Sequence, residues 1–211
     1  RDVPHSTDIS RVPTDGDLYI FAVKDSALLD LVSRMPANRG LWVHTAGSMD
    51  MEVFAPYTAR YGVFYPMQTF SKERETDFDD IPIFVEANHT DDTERLQELA
   101  GRLSTKVYEA TSEQRKYLHL AAVFACNFTN HLYALCDRIL SEHGLPFETM
   151  LPLIRETAAK VADMPPAQAQ TGPAIRYDKN VIDKQMALLS DPIMRQIYDL
   201  MSRSIHETNK H

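Results

Sequence analysis

Residues 17–47, DLYIFAVKDSALLDLVSRMPANRGLWVHTAG, contain the pattern that decides the fold of this chain. Residues 18–23 form a continuous apolar run rich in aromatic and branched side chains, which is typical of a central parallel strand covered on both faces. Residues 26–34 follow as a short helical pattern, and residues 41–44 predict a second buried strand before the glycine turn at Gly47. This order of elements indicates a nucleotide-binding α/β fold that the chain enters after the phosphate-binding loop.

The composition of the chain excludes several classes of partner. Its 211 residues, 44% of them hydrophobic and 25% charged, are enough to bury a sizeable core. The formal net charge of -8, with no basic stripe, argues against nucleic acid or an anionic membrane as partner. No apolar run approaches the roughly 18 residues that span a bilayer, and residues 1–10 have no apolar signal core. We therefore expect a cytoplasmic protein with no nucleic-acid or membrane partner.

Cys126 and Cys136 are the only two cysteines of the chain. Both lie in one predicted helix, and their spacing in the sequence separates them by about 15 Å at about 1.5 Å per residue. This distance exceeds the limit of about 7 Å between the Cα atoms of a disulfide. We expect two buried free thiols in a reducing compartment.

Strand and helix patterns alternate through residues 17–110, which favours a mostly parallel sheet flanked by helices. Asp25 is the predicted N-cap of the first helix, and Asp91 or Asp92 is that of the second. The predicted strands are 18–23, 41–44, 61–65, 83–86 and 106–109, and the predicted helices are 26–34 and 93–103.

After residue 110 the strand patterns cease and only helices are predicted. Thr111 and Gln114 form a capping box, and a helical pattern then runs to His143 before Gly144 ends it. This helix, at about 30 residues, is much longer than the mean of about 11 or 12, and its apolar surface exceeds what one contact face needs. The excess favours a homodimer formed by a second, helical domain. Further helices are predicted at 147–163, 180–189 and 192–207.

Several common catalytic motifs are absent from the sequence. None of the seven glycines lies within five residues of another, so neither the dinucleotide-binding fingerprint nor a Walker loop is present. The chain has no HExxH motif, no paired-cysteine metal site and no GxSxG elbow. These absences exclude the commonest zinc and serine hydrolases, and we expect no metal.

Five stretches of the chain, taken in order, resemble one family. They are DLYIFAVKD at 17–25, WVHTAGSMDMEVF at 42–54, YPMQTF at 65–70, YLHLAAVFACNFTNHLYAL at 117–135 and TGPAIRYD at 171–178. These stretches resemble the DUF2520 family of Rossmann-like NADP-dependent oxidoreductases, related to pyrroline-5-carboxylate reductase and to 6-phosphogluconate and 3-hydroxyisobutyrate dehydrogenases. The resemblance implies an α/β plus all-α fold, with a partial Rossmann-like parallel sheet in residues 1–110 followed by a helical dimerisation domain in residues 111–211.

Members of this family begin with a strand, a glycine-rich loop and a helix, followed by a second strand, and this chain enters after those elements. We expect that an amino-terminal segment has been omitted, with a natural truncation as the alternative. In the intact protein the resemblance implies NADP, or NAD, as the cofactor. It also implies a small-molecule substrate held between the two domains.

Polar residues follow the first two predicted strands, at the edge where doubly wound sheets bind ligands. We expect His44 to donate to a bound carbonyl group or to shuttle a proton, and the alternative is a buried histidine bonded to the backbone. The resemblance implies that the residues around these strand ends contact the cofactor, namely Ala22, Val23, Lys24, Thr45 and Ser48.

On the long helix, His119 and Asn127 share one face with Lys116 and Val123, because the four residues are spaced by three or four. The resemblance implies that His119 is a second candidate proton donor and that Asn127 is a polar anchor. The alternatives are buried polar residues held by backbone bonds, or residues at a subunit interface.

Three further residues are candidates for binding the substrate. Gln68 and Thr69 leave another strand at the same edge, and the amide of Gln68 can both donate and accept. Arg176 would anchor a carboxylate because its guanidinium is planar and bidentate. The alternatives are a loop held by its own side-chain bonds and a solvent-exposed arginine. Where Tyr65 stands, the family pattern commonly has histidine.

These observations together predict an NAD(P)-dependent oxidoreductase that passes a hydride between a nicotinamide and a small substrate. The alternatives are a non-catalytic cofactor sensor or scaffold with the same fold, and a truncated dimerisation core that binds no cofactor.

Overall fold

The structure, a computed structural model, describes residues 5–209 of the chain. The chain divides into two compact units, with unit 1 ending at Thr129 and unit 2 beginning at Asn130. Unit 1 contains a five-stranded sheet and its helices, and unit 2 is helical. The α/β part followed by an all-α part therefore confirms the predicted fold class.

The sheet of unit 1 has the strand order β1-β2-β3-β4-β5. The pairs β1·β2, β2·β3 and β4·β5 are parallel, and the pair β3·β4 is antiparallel. The antiparallel step was not predicted. It arises because residues 67–82 contain no helix to carry the chain back across the sheet, as a parallel crossover requires. The strands are β1 (Leu18–Phe21), β2 (Leu41–His44), β3 (Tyr61–Pro66), β4 (Ile83–Ala87) and β5 (Val107–Glu109).

Helices cover both faces of this sheet. Helix α1 (Asp25–Ser33) packs Leu28 and Val32 into a core with Trp42 and Phe54, whereas α2 (Thr90–Gly101) packs Leu96 into a second core. This arrangement explains why β2 is buried along its whole length. The second core consists of Leu41, Val43, Phe64, Ile83, Val85, Leu96 and Ala100.

The predicted N-caps of both helices are wrong. Lys24 and His89 occupy the N-cap positions of α1 and α2, and neither side chain makes a capping hydrogen bond. The acidic side chains are used elsewhere, because the carboxylate of Asp25 accepts a hydrogen bond from Ser48 and that of Asp92 accepts two from Arg60.

Within the described residues, β1 lies at the edge of the sheet and pairs with β2 alone. Tyr19 and Phe21 pack on the face that α1 covers, but Ile20 on the other face is 51% exposed. The prediction of a strand covered on both faces is therefore not met by residues 5–209. No described element lies over the Ile20 side of β1 to bury it.

The helical run predicted from Thr111 is present, and the capping box of Thr111 and Gln114 is confirmed. It is formed by α3 (Ser112–Ala122), a π-helical segment (Val123–Phe128) and α4 (Thr129–Glu142), and the π-helical segment was not predicted. The remaining helices are α5 (Leu151–Asp163), α6 (Pro166–Ala169), α7 (Lys179–Leu188) and α8 (Pro192–Thr208), of which the short α6 was also not predicted.

The cysteines are both free, but the prediction that both are buried is wrong. Cys126 is exposed because it lies on the π-helical segment, no residue of which is buried, and Cys136 is half-buried. None of the helices in the described part of the chain is long and apolar enough to cross a membrane. Among residues 5–209, no three His, Cys, Asp or Glu side chains are grouped to hold a metal ion.

Candidate functional site

Arg115, in the second turn of α3, holds the loop that follows β2, residues 45–50, which we call the β2 loop. Its guanidinium is fully buried and donates through Nε to the carbonyl of Ala46 at 3.3 Å and through Nη2 to that of Met49 at 2.5 Å. Nη1 is paired with the carboxylate of Glu86 on β4 at 2.8 Å. One side chain therefore fixes the β2 loop against both the sheet and α3.

Ser112 completes this network at the start of α3. Its backbone N–H and its hydroxyl both donate to the carboxylate of Glu86, at 2.9 and 2.7 Å. Its hydroxyl oxygen also accepts from the N–H of Met51 at 3.1 Å and from Arg115 at 3.1 Å. We call Arg115, Glu86 and Ser112 the Arg115 network. A glutamate inside the apolar strand β4 is the one signal of this network in the sequence, but the network was not predicted from it.

The ends of β1 and β2 come together as predicted from the parallel pairing. Ala22, Val23 and Lys24 form an exposed turn after β1. The N–H of Thr45 donates to the carbonyl of Phe21 at 3.4 Å. The five residues predicted to contact a cofactor therefore lie on two adjacent segments at one edge of the sheet.

A side-chain hydrogen bond joins these two segments. The hydroxyl of Ser48, on the β2 loop, donates to the carboxylate of Asp25 in the first turn of α1. Both side chains are exposed, so the pair is open to a ligand at this edge.

His44, at the end of β2, is fully buried and lies against the ring of Phe54. Its Nδ1 accepts from the N–H of Ala46 at 3.2 Å, so Nε2 carries the hydrogen and donates to the carbonyl of Asp50 at 3.3 Å. Both ring nitrogens are therefore engaged by the backbone. This is the alternative that the sequence left open, a buried histidine that supports the β2 loop.

Burial, and after it the nearby positive charge of the Arg115 guanidinium, lower the pKa of His44 to about 4. Because the unfolded chain takes up this proton near pH 6.5, His44 favours folding above that pH and loses this contribution as the pH falls towards 4. We expect the wild type to lose about 2 kcal/mol more stability between pH 7 and pH 5 than His44→Gln. Urea denaturation at the two pH values measures this difference. His143→Gln, an exposed control, should behave like the wild type, and equal losses in all three proteins would contradict the prediction.

Tyr65, near the end of β3, meets His119 of α3. The hydroxyl of Tyr65 lies 3.4 Å from Nδ1 of His119, which projects from the third turn of α3. Tyr65 is buried and His119 is exposed. Burial raises the pKa of Tyr65, while the charge of Arg115 acts in the opposite direction. Both residues stood out in the sequence, but this contact between them was not predicted.

Gly47, on the β2 loop, leaves the space that this contact needs. A Cβ atom at Gly47 would lie 2.7 Å from Nδ1 of His119 and 2.9 Å from Cζ of Tyr65. Any larger residue must therefore displace one of the two rings. The glycine that the sequence marked as a turn is here a point of close approach.

The remaining candidate residues are Asn127, Gln68 and Arg176. Asn127 is exposed on the π-helical segment. The side-chain oxygen of Gln68 accepts a hydrogen bond from the N–H of its neighbour Thr69 at 2.8 Å. This agrees with the alternative stated above, a loop held by its own side-chain bonds. Arg176 belongs to unit 2, where it is exposed beside Tyr177, a residue with a φ of 50°.

The solved structures that are similar to this chain include the following three. A candidate NADP oxidoreductase from Bacteroides fragilis is 54% identical, with a TM-score of 0.88 over 96% of this chain and 80% of that one. A protein from Thermotoga maritima is 22% identical, with a TM-score of 0.76 over 94% and 81% of the two chains. A reductive aminase from Aspergillus terreus, in complex with NADPH and ethyl-5-oxohexanoate, is 13% identical, with a TM-score of 0.66 over 92% and 75%. The last two likenesses show a common fold.

Comparison with curated protein sequences found no match. The family described as a domain of unknown function, DUF2520, matches residues 81–205, which is more than half of the chain. The chain therefore belongs to the DUF2520 family, as its five ordered stretches of sequence indicated.

Proposed function

We propose that this protein is an NAD(P)-dependent oxidoreductase that passes a hydride between a nicotinamide and a small substrate. The observation that carries the proposal is the pair of polar contacts at the carboxyl ends of the parallel strands, Asp25 with Ser48 and Tyr65 with His119. Ligands of open α/β sheets bind outside these strand ends. The 54% identical relative, named as a candidate NADP oxidoreductase, supports the same function.

The described residues fit the nicotinamide and ribose end of such a cofactor. The exposed turn of Ala22, Val23 and Lys24 offers backbone groups and one cation, and Thr45 and Ser48 offer hydroxyls that both donate and accept. In residues 5–209 no glycine-rich turn cradles a diphosphate, and Asp25 at the start of α1 disfavours phosphate there. When bound, the cofactor supplies or takes up the hydride.

We assign the substrate contacts to the residues beyond β3 and on the long helix. His119 donates a hydrogen bond to the oxygen or nitrogen at the reacting carbon, and Asn127 holds a second polar group. Gln68 and Thr69 line the same edge. Arg176, in unit 2, is a separate candidate for binding a carboxylate. His44 has no free ring nitrogen for a substrate, so its part is to hold the β2 loop in place.

Cofactor binding tests the proposal most directly. We expect the protein expressed from its complete reading frame to bind NADPH or NADH in calorimetry, and Lys24→Ala to weaken this affinity about twofold to tenfold, the worth of one exposed hydrogen bond. Lys72→Ala removes an exposed cation from the loop between β3 and β4 and is the matched control. Consumption of reduced cofactor is then followed with a panel of ketones, aldehydes and imines.

The outcomes separate the proposal from its alternatives. Turnover with any member of the panel supports the oxidoreductase. Tight binding without turnover on the whole panel favours a cofactor sensor or scaffold. No binding of either nucleotide leaves a dimerisation core and overturns the proposal.

We also propose that residues 1–110 form the cofactor-binding domain and that residues 111–211 form a dimerisation domain. An apolar groove of about 620 Å³ lies among α4, α7 and α8, and many large apolar side chains of unit 2 are exposed. Soluble proteins seldom leave so much apolar surface uncovered. Light scattering should give twice the mass of one chain, and a monomer mass would contradict the dimer. The exposed side chains include Leu145, Leu153, Val161, Leu188, Ile193 and Leu200.

A further inference from the structure

We propose that Tyr65 is a positioning residue that fixes the tautomer of His119, so that Nε2 carries the ring hydrogen and presents it to an acceptor atom of the substrate. The tautomer itself follows from the geometry of unit 1. Only the last step, the contact with substrate, rests on the proposed function.

The hydroxyl of Tyr65 decides which nitrogen is protonated. Tyr65 is only 9% exposed, and a buried hydroxyl that fails to donate costs about 1–3 kcal/mol. Among residues 5–209 its one hydrogen-bond partner is Nδ1 of His119. If Nδ1 carried the hydrogen, the phenol would have no acceptor within the part of the chain that the structure describes. Nδ1 therefore accepts from Tyr65, and in the neutral ring the hydrogen lies on Nε2.

The two histidines at this edge of the sheet differ in whether a ring nitrogen remains available to a ligand. His44 uses both nitrogens on the backbone and is fully buried. His119 is exposed, and its Nε2 has no hydrogen-bond partner among the described residues. The available donor is thus Nε2–H of His119, held in one orientation by a buried phenol.

This arrangement selects the chemical class of the ligand group. A neutral imidazole N–H recognises an atom with a lone pair, and in other enzymes a neutral histidine polarises a substrate carbonyl through such a hydrogen bond. Among the groups that take up a hydride in the proposed function, a carbonyl oxygen and an imine nitrogen carry such a lone pair, and they are the groups that His119 would hold. A protonated amine has no lone pair and is rejected at this position.

A substitution at Gly47 tests the contact between Tyr65 and His119 independently. Because a Cβ at Gly47 would collide with both rings, Gly47→Ala separates Tyr65 from His119 while keeping both polar groups. Tyr65→Phe instead keeps the packing and removes the hydroxyl alone. The matched control is Tyr61→Phe, which makes the same change at the opposite end of β3, where the hydroxyl bonds to Glu52 at 2.9 Å.

The experiment is ¹⁵N NMR of histidine-labelled protein, without cofactor or substrate, at pH values where the ring is neutral. In the wild type and in Tyr61→Phe we expect one Nε2–H form of His119, with the Nδ1 resonance displaced by its hydrogen bond. Tyr65→Phe and Gly47→Ala should both remove this displacement and introduce the second tautomer. An Nδ1–H form in the wild type, or unchanged His119 resonances in both variants, overturns the proposal.

Kinetics test the last step separately. Tyr65→Phe should lower kcat about twofold to tenfold, the worth of one hydrogen bond, with the KM for reduced cofactor unchanged. An unchanged kcat would confine the role of Tyr65 to structure. Because the NMR measurement needs no ligand, failure of the protein to bind a nicotinamide cofactor would leave the tautomer result standing and would refute only the proposed function.

Discussion

Arg115→Met is expected to lower the free energy of unfolding by about 3–5 kcal/mol, the usual effect of removing one partner from a buried ion pair. The guanidinium is fully buried and binds Glu86, Ser112 and two carbonyls of the β2 loop. Its loss leaves the carboxylate of Glu86 little exposed and without its cation. Urea denaturation at pH 7 measures the change.

Lys106→Met is the matched control for Arg115→Met. The ammonium of Lys106 lies 3.0 Å from Asp80, but both side chains are largely exposed, so its removal should cost about 0–1 kcal/mol. A second variant, Arg115→Met with Glu86→Gln, should recover part of the loss because the buried charge is then gone. If Arg115→Met costs no more than Lys106→Met, the Arg115 network does not hold the β2 loop.

His119→Ala is expected to lower kcat by about 10²–10³, the cost of removing one preorganised donor from a developing negative charge. The affinity for NADPH should stay unchanged, because the ring is assigned to the substrate rather than to the cofactor. Steady-state kinetics on whichever carbonyl or imine is turned over, together with calorimetry of NADPH, give both quantities.

His143→Ala is the control for this change. His143 is also exposed, but it lies near the end of α4 in unit 2, where its ring bonds to the carbonyl of Ile139. It should keep the wild-type kcat. A fall in NADPH affinity in His119→Ala that accounts for the whole loss of activity would place His119 at the cofactor instead.

The strands of unit 1 could be predicted well from the sequence. Strand β2 was predicted at its observed bounds, and β1, β3, β4 and β5 within one or two residues. These predictions were reliable because runs of branched and aromatic residues between polar breaks have few other stable conformations in a folded protein. The apolar run of β1 also predicted burial on both faces of that strand, whereas Ile20 is exposed among the described residues.

The meeting of the segments that follow β1 and β2 could be predicted from the sequence, but the side-chain contacts there could not. Parallel pairing of β1 and β2 required that residues 22–24 and the β2 loop meet at one edge. The roles of the two histidines depended on which partners lay nearby. His44 and His119 look alike in the sequence, yet one is enclosed by the backbone and the other keeps Nε2 free.

Arg115 shows most clearly what a sequence pattern leaves out. An arginine beside a lysine near the start of a helix has the pattern of a solvated face, and charged residues are seldom fully buried unless paired. Its burial became possible because Glu86, 29 residues earlier in the chain, supplies the opposite charge and the β2 loop supplies carbonyls.

The sequence by itself determined the family, the alternation of strands and helices, and the edge of the sheet where polar residues collect, because these follow from local hydrophobic periodicity and from motifs in order. The tertiary structure alone decided the antiparallel step at β4, the burial of Arg115 and the pairing of Tyr65 with His119. These features depend on residues far apart in the chain, and a hydrogen bond or an ion pair exists only once folding has brought both partners within bonding distance of each other.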